Sequence, residues 1–176
     1  MSATERGTEP TSGTERSIPL VTTTDRRKES DSVAARNKEL MQTLDDAWNG
    51  QNVEIFRARH KPDVIVRWPG KTEPTVGIEA HTQESIDFWK TFPNQRLDNR
   101  PYRIFFASGD YTCSVARFRG TMTGPMKAAD GTEIPPTGKS FDLDFYTVAQ
   151  WDNGQIVEEN LMYDLVTFMK QIGLSK

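Results

Sequence analysis

The sequence predicts an α+β domain, with helices packed on a strongly curved, mainly antiparallel sheet that forms a cone with an internal pocket. Three observations predict it. Helical periodicity gathers in the first half of the chain, and period-two patterning fills the second. The stretch from Pro135 to Leu174 then runs as strand, tight turn, strand and closing helix with almost no slack.

Taken in order, residues 1 to about 30 are Ser, Thr, Glu, Arg and Gly with few apolar positions. They read as a disordered polar tail, because they bury too little surface to offset the cost of ordering. The domain is read as residues 31–176. Arg26-Arg27-Lys28 is either a solvated charge run or a docking patch; flanking Glu29 and Asp31 favour the first. Ser30, Asp31 or Ser32 caps a first helix, whose inward face carries Val33, Leu40, Met41, Leu44, Ala47 and Trp48. Asn52 caps a short second helix, which His60-Lys61-Pro62 breaks. Asp63 to Trp68 is a β-branched strand stopped by Pro69-Gly70. A third helix spans about 77–92 on Ile78, Ile86, Trp89 and Phe92, with Thr82 and Ser85 along the same side.

Strands follow at 98–108, with Tyr102, Ile104 and Phe106 on one face, and at 111–123. Residues 124–139 hold three glycines and three prolines, and at that length predict a rim or lid. In the terminal hairpin, Phe141, Leu143, Phe145, Thr147, Ala149 and Trp151 alternate with more polar positions. Asp152-Asn153-Gly154 supplies the turn, since Asn-Gly tolerates the positive φ that a hairpin requires. Asp164 caps the last helix, whose inward positions are Leu165, Phe168, Met169 and Ile172.

Composition narrows the function. The net charge of -3 gives no reason to bind nucleic acid or an acidic membrane. The single cysteine, Cys113, excludes an intrachain disulfide framework and a cysteine-based metal site. No run is long enough to span a bilayer, and no apolar segment follows the N-terminal charges, so the expectation is a cytoplasmic protein. The two histidines, His60 and His81, show no metal-ligand spacing. Phosphate-loop, dinucleotide and nucleophile-elbow motifs are absent. No metal and no cofactor are therefore expected. The expected partners are a small hydrophobic substrate and, through partly apolar Tyr146 and Val148 on the even-numbered sheet face, a second copy of the chain.

Glu159 is the leading acid/base candidate. If odd-numbered hairpin positions face the cavity, Glu159 and Tyr163 join Phe145, Thr147, Trp151 and Leu161 there. Burial among apolar walls then raises the carboxyl pKa. Otherwise Glu159 sits at an open rim, or Glu158 faces inward. Further candidates are His60 as a proton shuttle or a surface loop residue, Asp164 as an acid or a helix cap, and Arg67 as an oxyanion partner or a solvated charge. Trp68 and Trp48 complete the predicted pocket wall. Asp142, Asp144, Arg117 and Arg119 are read as outward, and His81 as a polar helix residue.

The element order, with VIVRWPG at 64–70, GTMTGPM at 120–126, PPTGKSF at 135–141 and DNGQIVEENLMYDLVTFMKQIGL at 152–174, resembles the SnoaL-like polyketide cyclases of the nuclear-transport-factor-two-like superfamily. The resemblance covers about residues 35–174. It implies a cofactor-independent cyclase, isomerase or dehydratase acting on a polyketide-like metabolite by proton transfer. It also implies an acidic residue supported by a histidine, at positions that fall here near Thr147 and Leu161. Neither residue can do that work. The departure leaves a second reading open, a non-catalytic ligand-binding or assembly module on the same fold. Scytalone dehydratase, a relative on this fold, pairs two histidines with tyrosines and an aspartate; with His81 on a helix surface that pattern is not expected here.

Overall fold

The computed structural model describes residues 23–128 and 130–175. The tail predicted for residues 1–22 lies outside the described residues. From Thr23 onward the chain is already helical, so residues 23–30 extend the first helix rather than belong to a tail. Arg26, Arg27 and Lys28 lie on its exposed opening turns.

Among the described residues, four helices and nine strands follow in order: α1 (Thr23–Asn49), α2 (Val53–Ala58), β1 (His60–Arg67), β2 (Thr75–Val76), α3 (Ile78–Thr91), β3 (Arg96–Leu97), β4 (Ile104–Ser108), β5 (Tyr111–Thr121), β6 (Met126–Lys127), β7 (Glu133–Ile134), β8 (Ser140–Asp152), β9 (Gln155–Met162) and α4 (Leu165–Gln171). The main sheet runs β2-β1-β9-β8-β5-β3, with β4 also on β5. All pairings are antiparallel except β1 with β9. The sheet is not closed, and the helices cover its inner face.

The terminal hairpin matches its local signals. Asn153 and Gly154 take φ of 51° and 83°, the left-handed pair that a two-residue hairpin turn requires. The Asp164 side chain accepts a hydrogen bond from the Thr167 backbone N–H at 3.0 Å and caps α4. Phe168 of α4 then packs 5.0 Å from Phe141 and 5.7 Å from Phe92, while Phe118 lies 4.8 Å from Phe141. Such edge-on aromatic pairs each add about 0.5–1.5 kcal/mol beyond burial. This cluster fastens α4 to β8 and to the end of α3.

Three elements differ from the sequence reading. First, β1 begins at His60 rather than Asp63. A register irregularity between His60 and Ile65 accommodates Pro62, which has no N–H for the ladder. Second, no strand runs continuously over 98–108. The chain turns at 100–103, so Tyr102 is buried while Ile104 and Phe106 face outward. Third, the 124–139 loop contains a small hairpin, β6 with β7. Gly124 anchors it to the end of α3, where its N–H donates to the Thr91 carbonyl at 3.0 Å.

Candidate functional site

Between α1, α2, α3 and the inner sheet face lies a cavity of about 30 Å³, lined by Asp45, Trp48, Phe56, Trp68, His81, Phe145, Thr147, Glu159 and Leu161 among others. That volume holds only one or two water molecules. Trp68 also lines a larger outer pocket of about 600 Å³. The outer pocket is walled by Phe88, Tyr163, Phe168 and Met169 and rimmed by Pro125, Met126, Lys127 and Glu133. Residues 125–127 and 133 thus form part of its rim.

Glu159 is fully inward, and a local irregularity makes it so. The β8–β9 register shifts beside Gln150 and Trp151, so burial passes from even-numbered Ile156 to odd-numbered Glu159 and Leu161. Small Ala149 is its cross-strand partner on β8, and Val66 its partner on β1. Glu158 points the other way and pairs with Arg67 at 2.5 Å. His60 opens β1 and His81 sits on α3, and both are buried. Their Nε2 atoms stand 3.6 and 3.5 Å from the same Glu159 oxygen, Oε2. The rings meet edge-on at 5.0 Å, and Phe56 packs against both, at 4.8 and 4.9 Å.

His60 Nδ1 lies 2.7 Å from the Phe56 carbonyl oxygen. A carbonyl only accepts, so Nδ1 carries the proton there. Burial pushes the Glu159 carboxyl up, but the two imidazoles beside it outweigh burial and lower it to about 2. The expectation of a raised Glu159 pKa is therefore wrong. Apolar walls alone would raise it, but two histidines also stand beside Glu159.

The carboxyl that does rise is Asp45, from 3.8 to about 7. Burial is the main cause. The Tyr102 hydroxyl, donating to Asp45 Oδ2 at 2.7 Å, offsets part of it, and the Glu159 charge adds to it. Tyr102 is itself pushed far above its ordinary value by burial and by Asp45. Two carboxyls in one cavity thus sit on opposite sides of the ordinary range, an arrangement that separates a proton carrier from a fixed anion.

Two predicted catalytic residues lie elsewhere. Asp164 is an exposed helix cap, and hydrogen bonds from Thr167 hold its pKa down. Arg67 is on the outer face with Glu158. Trp151 is in the core, where its Nε1–H donates to Thr112 Oγ1 at 2.9 Å, and does not line the cavity. Trp48, Phe145, Thr147 and Leu161 line the inner cavity, Tyr163 the outer pocket, and Trp68 both. Burial raises the Tyr163 phenol to about 12. Arg117 and Asp142 form an outward ion pair, as do Arg103 and Asp144.

Sequence reasoning missed His81, Asp45 and Tyr102. The first two carried a usable signal. Ile78, His81, Thr82, Ser85 and Trp89 form one buried stripe, as do Met41, Leu44, Asp45 and Trp48. A polar residue inside such a stripe is buried with it. The paired-histidine pattern set aside from the sequence is therefore present in the fold.

Residues 38–172 match the family model described as SnoaL-like polyketide cyclase. The chain belongs to this family. Its fold is shared by a protein from Jannaschia sp. CCS1, provisionally assigned as a SnoaL-like polyketide cyclase, with a TM-score of 0.71 and 21% identity over 82% of this chain and 96% of that one. A protein from Xanthomonas campestris, provisionally assigned as a polyketide cyclase, gives a TM-score of 0.69 and 17% identity over 80% and 99%. IdmH from Streptomyces antibioticus, also provisionally a polyketide cyclase, gives 0.64 and 22% over 78% and 98%. At such identities the structural likeness shows the fold alone. No curated protein matches the chain. This SnoaL-like chain does set an acid beside histidines, from Glu159, His60 and His81 rather than from Thr147 and Leu161. No helix among the described residues is long and apolar enough to cross a membrane.

Proposed function

We propose that this chain is an enzyme that cyclises, isomerises or dehydrates a small, flat, hydrophobic polyketide-like substrate by proton transfer. The observation that carries the reading is the convergence of Asp45, His81 and Glu159 on one small cavity beside Trp68. A binding module has no need to bury two carboxyls and an imidazole on one cavity. Asp45, with a value of about 7, is the group that gives and takes the proton at neutral pH. Glu159 stays ionised beside the two imidazoles. The substrate body rests in the outer pocket against Tyr163, Phe88 and Met169, with its reacting end toward Trp68, which lines both pockets.

The test is turnover of a panel of aromatic polyketide precursors, with products resolved by mass as unchanged or reduced by water. Asp45→Asn should lose about 10²-fold or more in kcat while remaining folded. A folded Asp45→Asn protein with undiminished kcat refutes the assignment.

We further propose that the chain forms a homodimer through its outer sheet face. Ile104, Val115, Tyr146 and Met162 are successive cross-strand partners and form an apolar row across the outer sheet face. Phe106 beside them is 57% exposed. A row of this kind favours a self-complementary partner, a second copy of the sheet. Phe106→Asp with Tyr146→Asp should convert a dimer to a monomer in sedimentation, and a wild-type monomer at high concentration refutes the assembly.

A further inference from the structure

The geometry points to the His60–His81–Glu159 cluster as a binding site for one divalent transition-metal ion of zinc-like preference. The three residues each offer one ligand atom, and these atoms lie within 4.8 Å of one another, all buried. The distances are the first argument. A charge-assisted N–H···O bond is about 2.7–2.9 Å long. The two Nε2 atoms instead stand 3.6 and 3.5 Å from Glu159 Oε2. Ligand atoms about 2.0–2.1 Å from a tetrahedral ion are about 3.3–3.4 Å apart. The spacing is too long for a direct bond and close to an edge of a coordination tetrahedron.

Protonation supplies the second argument. With Nδ1 giving its proton to the Phe56 carbonyl at 2.7 Å, Nε2 is the His60 nitrogen that faces the cluster, and it becomes a ligand when a metal displaces its proton. That nitrogen is buried without a hydrogen-bond partner, and so are both ring nitrogens of His81. His81 Nδ1 is 4.0 Å from Glu84 Oε2, beyond hydrogen-bond reach, so the Phe56 carbonyl behind His60 is the backing contact that orients a ring here.

The scaffold is the third. The ligands come from the start of β1, from α3 and from the middle of β9, with Phe56 wedged against both rings, so their spacing is held by elements rather than by a loop. The 30 Å³ cavity next to His81 and Glu159 leaves an open coordination position for water or a substrate oxygen, on the side where Asp45 lies. Two imidazoles and one carboxylate suit zinc, cobalt or iron(II) and not magnesium or calcium, which prefer all-oxygen shells.

The inference does not rest on the proton-transfer reading, since binding is read without turnover. The full chain is stripped with a chelator and titrated with Co²⁺. The expected result is one equivalent bound per chain with visible d–d absorption of tetrahedral or five-coordinate type. Zn²⁺ should abolish the signal, and Mg²⁺ should leave it. His60→Gln, His81→Gln and Glu159→Gln should each weaken Co²⁺ by at least about 100-fold. Far-UV circular dichroism establishes that the variants are folded, and where one is not, the wild-type titration decides alone. A folded wild-type chain that gives no Co²⁺ spectrum at millimolar metal overturns the proposal. So does binding that all three variants leave unchanged.

Discussion

Replacing Asp45 by Asn should abolish a specific loss of stability between pH 4 and 7. The unfolded chain titrates Asp45 near 3.8 and the folded chain near 7. Between those values the folded state holds a proton that the unfolded state has released. The contribution is thus fully present below 3.8 and falls as pH rises through 7. A difference of about three pH units at 1.36 kcal/mol each is on the order of 4 kcal/mol. For a folded domain of this size that corresponds to about 8–16 °C in Tm. Asparagine has the shape of the protonated acid and still accepts from Tyr102, so its profile lacks this fall. Calorimetric melting of both proteins from pH 4 to 8, with chelator present, isolates Asp45, because the exposed carboxylates are common to both. Tyr102→Phe adds a second handle. The Tyr102 hydrogen bond lowers the Asp45 pKa, so its loss should move the fall to higher pH. A wild-type minus Asp45→Asn difference that stays flat within about 1 kcal/mol across this window would refute the burial argument.

Three further outcomes follow from the same geometry. Glu159→Gln should reduce turnover at least tenfold. It should also remove a stability component on the order of 3 kcal/mol that the wild type holds above pH 4.5 and loses as pH falls through about 2, read by acid titration of ellipticity. Gly124→Ala would place a Cβ 1.9 Å from the Lys90 carbonyl oxygen. It should cost about 1–3 kcal/mol in urea unfolding and loosen the β6–β7 rim; an unchanged midpoint would show that the rim yields freely. Asp164→Ala should lower Tm by a few degrees through loss of the α4 cap yet leave kcat intact, whereas a collapse of kcat would return Asp164 to the site.

Much of this molecule is legible in its sequence, for local reasons. The Asn153-Gly154 turn, the Asp164 cap and the alternation from Phe141 to Trp151 each follow from backbone preference or from a period of two, and the structure has all three. The apolar stripes of α1 and α3 likewise locate their buried faces. These features place the cone, the rim and most of the pocket wall.

The chemistry of the cavity was decided by tertiary packing. Glu159 faces inward because β9 changes phase at an irregularity opposite Gln150 and Trp151, which no local pattern announces. His60 looked like a helix-breaking loop residue, yet pairing with Ile156 draws it into β1. His81 meets both only because α3 lies against β1 with its polar stripe turned inward. Position in the chain says nothing of these distances, and the pKa of a carboxyl depends on them. Burial alone raises Asp45; the same burial beside two imidazoles leaves Glu159 ionised. The sequence alone determined which residues could be buried. Only the folded arrangement, through long-range register and helix rotation, determined which of them share a cavity and which proton each one holds.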